Sequence, residues 1–341
     1  MKIHVVTITF LVSLIVAGSF STSHGAPAGK FPPSVTICVN EGGATLNMMG
    51  NAIAAVLSDK LPFKINVRTI SGGSSILIES GEVEIAMSVS VDSGQAFLGE
   101  AQYKGHAMPH LRLAVVGSPL SQGMAVRANS SIKTLRDLRG RKVAGDYKAS
   151  PTQWWDVTAH LASVGMTWND VSVVRVNTIG EALRALVEGR AEAANSSCSA
   201  GIAREANATI KGGIRFLPID GSPEGAKRMW AAAPGYFPLV VQPEEGVGLF
   251  GPTPLAAKDV YVQVGSQVSP EVVYELTKGI ASNLPAFEPR HVDFKLWKKE
   301  KFAKPSITIP YHDGAIRYFK EAGLWSAEAE KANAELAKKG K

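Results

Sequence analysis

Cysteine is scarce: two residues in 341, Cys38 and Cys198, allow one disulfide at most. Cys38 falls in an apolar strand near the start and Cys198 far along in a polar turn. Both are expected as free thiols, because a bridge needs Cα atoms within about 7 Å. A large excess of one charge is also missing. With 36 basic and 30 acidic residues the formal net charge is +6, and the basic residues are dispersed, not gathered in an aromatic-lined stripe. That distribution argues against nucleic acid as a partner, while a modest positive balance is compatible with an anionic ligand. Long apolar runs are absent beyond the first residues: no later segment reaches about 18 uninterrupted apolar positions, so no later membrane span is expected.

Complete catalytic motifs are lacking as well. Ser130-Ser131-Ile132-Lys133 has the S-x-x-K spacing of penicillin-binding enzymes without the companion K-T-G. Gly246, Gly248 and Gly251 imitate a dinucleotide fingerprint but precede prolines instead of a helix. His106 and His110 share helical spacing, yet Pro109 interrupts them and no acidic or cysteine partner is near, which speaks against zinc. The run Lys295, Lys298, Lys299, Lys301 and Lys304 reads as a solvated face. The expectation is a non-enzyme with no cofactor and no metal.

What is present begins with Lys2, an apolar run from Val5 to Val16 and a small-residue region, the pattern of a cleaved secretory signal peptide over residues 1–26. The run is too short for a comfortable membrane span, so the remaining chain is expected to be exported and soluble, in the periplasm. A 45% hydrophobic and 19% charged composition describes a globular protein with sizeable cores, long enough for two domains.

Strands then alternate with helices of helical period: Val35–Val39, Leu46–Ser58, Lys64–Ile70, a helix after Ser71-Gly72-Gly73-Ser74, and Val83–Met87 ending at Ser88, Ser90 and Asp92. In the second of these helices Ser74 is the expected N-cap, with Ile76 and Leu77 on its apolar face. Leu111–Val116 and Met124–Val126 read as two further strands. The pattern restarts after Arg127, with a strand at Lys142–Ala144, a helix ending at Gly165, a capped helix from Thr178, and Ala191–Ala194 leading into a polar turn at Asn195-Ser196. A Pro- and Gly-rich stretch from Gly221 to Pro254 reads as a long irregular return. Such alternation implies a mainly parallel sheet with ligands at the carboxyl ends of its strands.

The segments NEGGATLNMMGNAIA, SGGSSILIESGEVEIAMSVSVD, SSIKTLRDLRGRKVA, TIGEALRALVEGRAEAA, SQVSPEVVYELTKGI and IPYHDGAIRYFKEAG, in this order and spacing, resemble TAXI-type substrate-binding proteins. These are the extracytoplasmic receptors of tripartite ATP-independent periplasmic (TRAP) transporters. The resemblance covers nearly the whole exported chain. It implies an α/β, two-lobed periplasmic binding protein fold (type II) with the ligand cleft between lobes, and delivery of the ligand to an ion-driven membrane permease, by a monomer. Lobe 1 is expected over 27–127 and 256–341, and lobe 2 over 128–255 with the hinge return. Similar proteins, associated with glutamate-like and dicarboxylate ligands, carry a Gly-Ser-Gly-Thr-like turn where this chain has GDYKASPTQWWD; an indole of Trp154 or Trp155 in the cleft would add a flat apolar wall and favour a larger or aromatic anion.

A small carboxylate needs amide donors, hydroxyls and one or two cations. Four turns supply them: Asn40, Gly43, Ala44 and Thr45; Ser71, Gly72, Gly73 and Ser74; Ser90 and Asp92; and Lys148, Ser150, Thr152 and Trp154, with Lys148 as counter-ion. Asn195, Ser196 and Tyr236 complete the set of expected contacts. A sensor protein, or the binding protein of a tricarboxylate or ATP-driven system of the same fold, is the alternative.

Overall fold

The computed structural model describes residues 30–70 and 72–340. The expected signal peptide and Ser71 lie outside the described residues. The first half of the order is β1 (Ser34–Val39), α1 (Thr45–Leu57), β2 (Lys64–Thr69), α2 (Ser74–Glu79), β3 (Ile85–Val89), α3 (Ser90–Leu98) and β4 (Leu111–Arg127). Then come β5 (Lys142–Asp146), α4 (Pro151–Ser163), β6 (Ser172–Val176), α5 (Ile179–Val187), β7 (Ala193–Ser196), α6 (Gly201–Thr209), β8 (Ile214–Leu217), α7 (Pro223–Ala232) and β9 (Phe237–Val241). The order closes with β10 (Thr253–Gly265), α8 (Pro270–Ser282), the one-turn α9 (Leu284–Phe287), α10 (Asp313–Glu321) and α11 (Ala327–Lys339). Among the described residues no helix is long and apolar enough to cross a membrane.

Hydrogen bonding runs through the strands in the order β2-β1-β3-β10-β4-β7-β5-β6, with β8 added on β4 and β9 on β10. The β1–β2, β1–β3, β5–β6 and β5–β7 pairs are parallel, whereas β4 and β10 run antiparallel to their neighbours. Strand β3 is buried at every position, as a parallel strand covered on both faces must be.

Burial divides the side chains into two apolar cores. One gathers Ile37, Ile53, Ile85, Val115, Val262 and Phe319; the other gathers Val143, Val157, Leu183, Ala194, Phe216 and Leu255. Among the described strands only β4 and β10 contribute to both, and helix α3 does so too, through Val91 in the second core and Ala96 and Phe97 in the first. Strand β4 leaves the first core after Leu120 and joins the second at Met124, and β10 leaves the second after Ala256 and rejoins the first at Val260. The crossing points pair side by side, Ala257 with Ser121 and Lys258 with Leu120.

Several elements differ from the sequence reading. Leu111–Val116 and Met124–Val126 are the two ends of a single 17-residue strand. Pro119, which looks like a break, lies opposite Asp259 at a register shift, where a missing amide donor costs little. The supposed irregular return holds α7 and β9, because Ser222 accepts a bond from the Gly225 amide and Pro223 occupies the first helical turn. In α2 the cap is Gly73, at φ 76°, and the buried positions are Ser75 and Ile78, while Ile76 is exposed. Ser90 and Asp92 begin a helix, and Asn195 and Ser196 belong to a strand. Cys38 and Cys198 are both free and buried, and burial pushes their thiols up to about 11 and about 12.

Where the two cores meet, β10 carries Lys258 at 1% exposure, ion-paired with the fully buried Asp156 of α4. Tyr236 donates its hydroxyl to Asp156 at 2.8 Å, and its ring lies 5.2 Å from the Lys258 ammonium. Removing one partner of a buried pair strands the other charge. Asp156→Ala is therefore expected to lower the free energy of urea unfolding by about 3–5 kcal/mol, and Asp156→Leu combined with Lys258→Met by much less.

Candidate functional site

In both halves the parallel strands end at one cavity. The connections after β1, β2 and β3 form one wall and those after β5, β6 and β7 the other, around about 900 Å3 of space counted out to where it opens to solvent. Five helices of nine or more residues, α1, α3, α4, α5 and α6, begin at this cavity, through Thr45, Asp92, Thr152, Ile179 and the cap residue Ala200. The first amides of a helix have no partner inside it and carry the positive end of its dipole, so these starts together create a field that favours an anion. Thr45 is 4% exposed and lines the cavity, and its hydroxyl has no hydrogen-bond partner among the described residues.

The cavity's cation is Lys258, reaching in from the crossing strand. Behind it stands a buried polar floor. Asn195 donates to Gln153 at 2.6 Å and to Asp156 at 3.2 Å. His160 bonds the Gln122 carbonyl at 2.8 Å, and burial holds its imidazole below its ordinary value, in the neutral form. Gln122 and Gln153 line the cavity themselves.

Direct bonds cross the cleft. The Thr152 hydroxyl donates to Asp92 Oδ1 at 3.1 Å, the Gly180 amide at the start of α5 donates to Glu41 Oε1 at 3.0 Å, and the Trp155 indole donates to Gln102 at 3.0 Å. The Ile202 amide bonds the Gly43 carbonyl at 3.2 Å. Gly72 approaches the opposite wall so closely that a Cβ there would lie 2.1 Å from the Ala149 carbonyl oxygen. Burial raises Asp92 above its ordinary value; bonds from Tyr103, Thr152 and Gln102 and the Lys258 charge oppose this without cancelling it.

Of the residues expected from sequence, the cavity gathers Asn40, Ala44, Thr45, Gly72, Gly73, Ser74, Asp92, Ser150 and Thr152. Gly43 stands one step back at φ 79°, against Ile202. Ser90 accepts from the Asp259 amide at 3.1 Å instead of facing the cavity. Asn195 and Tyr236 form part of the floor, and Ser196 is buried beside them with its hydroxyl on the Ser197 carbonyl. Lys148 is exposed and does not line the cavity. Trp154 lies outside it too: its ring stacks on Trp168 at 5.9 Å and lines a separate hollow with Met166. One helical step carries the chain from Gln153 at the cavity to this outer face. Sequence reasoning missed Lys258, Gln122, Gln153, Glu41 and Tyr103. A lone lysine in the apolar run Leu255-Ala256-Ala257-Lys258-Asp259-Val260 is the signal that could have found the first, since a charge in a buried strand requires a partner.

Residues 41–323 match the NMT1-like family. The chain belongs to that family. Among solved structures this NMT1-like chain is similar to Rpa4515 of R. palustris with adipate (16% identity, TM-score 0.54, covering 90% of this chain and 97% of that one). It is similar also to MatC of Rhodopseudomonas palustris with bound malate (12% identity, TM-score 0.54, covering 90% and 99%). The periplasmic binding protein BugD matches at 9% identity and TM-score 0.55, covering 90% and 97%. At these identities the likeness shows the fold, that of a two-lobed periplasmic binding protein.

Two expectations follow from the cross-cleft contacts. Gly72→Ala places a methyl group against the Ala149 carbonyl, so it should widen the cleft, increasing the radius of gyration in X-ray scattering with little change in circular dichroism. From the cavity-lining Ser197 a polar chain leads outward: Ser197 contacts Ser199 at 2.9 Å, and Ser199 donates to Asp293 at 3.1 Å. Burial raises Asp293 from 3.8 to about 7, whereas it lowers His291 beside it from 6.5 to about 4. The Asp293 contribution to stability is fully present below the ordinary carboxylate value and is lost as pH rises through about 7. Asp293→Asn removes that loss and leaves the opposing His291 contribution in place. The unfolding free energy of the variant minus that of the natural protein should therefore grow between pH 4 and 7, by up to about 1.4 kcal/mol per unit, and be flat above.

Proposed function

We propose that this NMT1-like protein is a periplasmic solute receptor that binds a small organic anion between its lobes and delivers it to a membrane permease, without transforming it. The observation that carries the reading is the convergence of five helix starts and Lys258 on one cavity. Closure is then a population shift: an anion touching both walls favours the state in which they meet, with β4 and β10 as the hinge. The structures with adipate and malate support an acid as the ligand class. Aliphatic walls from Val39, Leu46, Ile70 and Val89, with Trp154 on the outer face, favour an aliphatic acid over an aromatic one. The order of the sequence segments favours a TRAP-type permease, and a large permease encoded beside this chain would support that choice.

A thermal-shift series with adipate, L-malate, L-glutamate and benzoate tests the reading. A ligand that binds only the folded state adds about 2.7 kcal/mol at a hundredfold excess over its dissociation constant. At least one aliphatic acid should raise the melting temperature, and Lys148→Ala should retain the shift. Lys258→Met in the Asp156→Leu background should lose it. Hits confined to neutral compounds, or turnover of a bound acid, would contradict the reading.

A further inference from the structure

Asp92 stands at the start of α3 with its carboxyl group in the cavity wall, and its two oxygens differ. Oδ1 receives three donors: Tyr103 Oη at 3.0 Å, Gln102 Nε2 at 3.1 Å and Thr152 Oγ1 at 3.1 Å. Oδ2 makes no hydrogen bond among the described residues. Three donors crowd Oδ1, so any proton on this carboxyl belongs on Oδ2. Thr152 comes from the opposite lobe, and this environment is complete only when the cleft is closed.

The surrounding charges offer Asp92 no dedicated counter-ion. Lys258 faces it but is ion-paired with Asp156, which also accepts from Tyr236. Glu41, across the cavity, is acidic and occupied by the Gly180 amide. Tyr103 donates its hydroxyl to Oδ1 and brings no positive charge. An ionised Asp92 would thus stand beside any bound anion in a closed cavity, where like charges strongly disfavour each other.

We propose that Asp92 is the proton-carrying wall of the anion site: in the closed cleft its Oδ2 holds a proton and donates it to the bound carboxylate, so that one proton enters with each anion. The proton comes from solvent on closure and returns to it on opening; no bond to the ligand is made or broken covalently. Burial raises the carboxyl in this closed state, in agreement with the geometry. The direction fixes the pH dependence. Closure gains most below the ordinary carboxylate value of the open cleft, and the gain is lost as pH rises through the higher closed-state value. This inference rests on the organic-anion reading and adds a condition to it.

Asp92→Asn is the informative variant, because its amide NH2 mimics the protonated oxygen while its carbonyl keeps the three donors. Calorimetric titrations with adipate, L-malate, L-glutamate and benzoate, in two buffers of different ionisation heat between pH 5.5 and 8, read proton uptake directly. For whichever acid binds, the natural protein should take up close to one proton per anion and weaken by up to about tenfold per pH unit. The variant should bind without that slope. Asp293 and His291, which also join the lobes, are common to both proteins and cancel in the comparison. Binding with equal proton uptake in the two proteins would overturn the role of Asp92 and leave the anion receptor standing. So would loss of binding in a variant whose circular dichroism and melting temperature are unchanged. If none of the acids binds, the anion reading fails by itself. Infrared difference spectra, natural protein minus variant at pH 7 and both saturated with whichever acid binds, read the protonation of the closed state: a protonated-acid carbonyl band from Asp92 supports it and a carboxylate band overturns it.

Discussion

The buried pair of Lys258 and Asp156 is the interaction on which the rest of the structure depends. It joins the strand that runs between the two cores to the first helix of the second lobe, at the point where β10 passes from one core to the other. A buried charge pair stabilises a fold little in comparison with apolar packing, but it is demanding about geometry, because either charge alone in that position is costly. Tyr236 and Asn195 donate to Asp156 and make the pair tolerable, and Gln153 and Gln122, which accept from Asn195, also form the wall of the cavity. The crossing strand and the cavity floor are thereby one polar unit inside two apolar ones.

That arrangement is the basis of the proposed attraction of an anion by a cleft with few cationic residues. Helix starts supply the field, from backbone groups whose orientation the fold maintains, and the single lysine is partly neutralised in advance. A cavity of this kind suits a small acid that must be released again. Contacts that span the walls, from Thr152 to Asp92 and from Gly180 to Glu41, show how closely the lobes meet, and Gly72 shows why a side chain at that point would hold them apart.

Much of this was legible in the sequence. Alternating apolar runs and glycine stops located the parallel strands, and the turns after them contained nine of the residues that line the cavity, including Thr45, Gly72 and Thr152. The rest was hidden for particular reasons. Pro119 and the polar residues around it disguised one long strand as two, because a register shift absorbs the proline. Ser222-Pro223-Glu224 carries a helix-start signal, an N-cap serine followed by proline, which its Gly- and Pro-rich setting masks. Lys148 was chosen as counter-ion by nearness to a turn, while Lys258 lies more than a hundred residues further on and reaches the cavity only through antiparallel pairing of β4 and β10. Trp154 follows Gln153 directly, and a helix turns the two to different faces. Local patterns report turns; which side chains share a cavity is a matter of long-range pairing.

The central claim, that a small organic acid is held between the lobes by its negative charge, is tested most directly by calorimetric titration with short aliphatic acids alongside the amides of the same shape. The account predicts saturable binding of at least one acid and none of its amide. Binding of the amide as tightly as the acid, or of the amide alone, would contradict it.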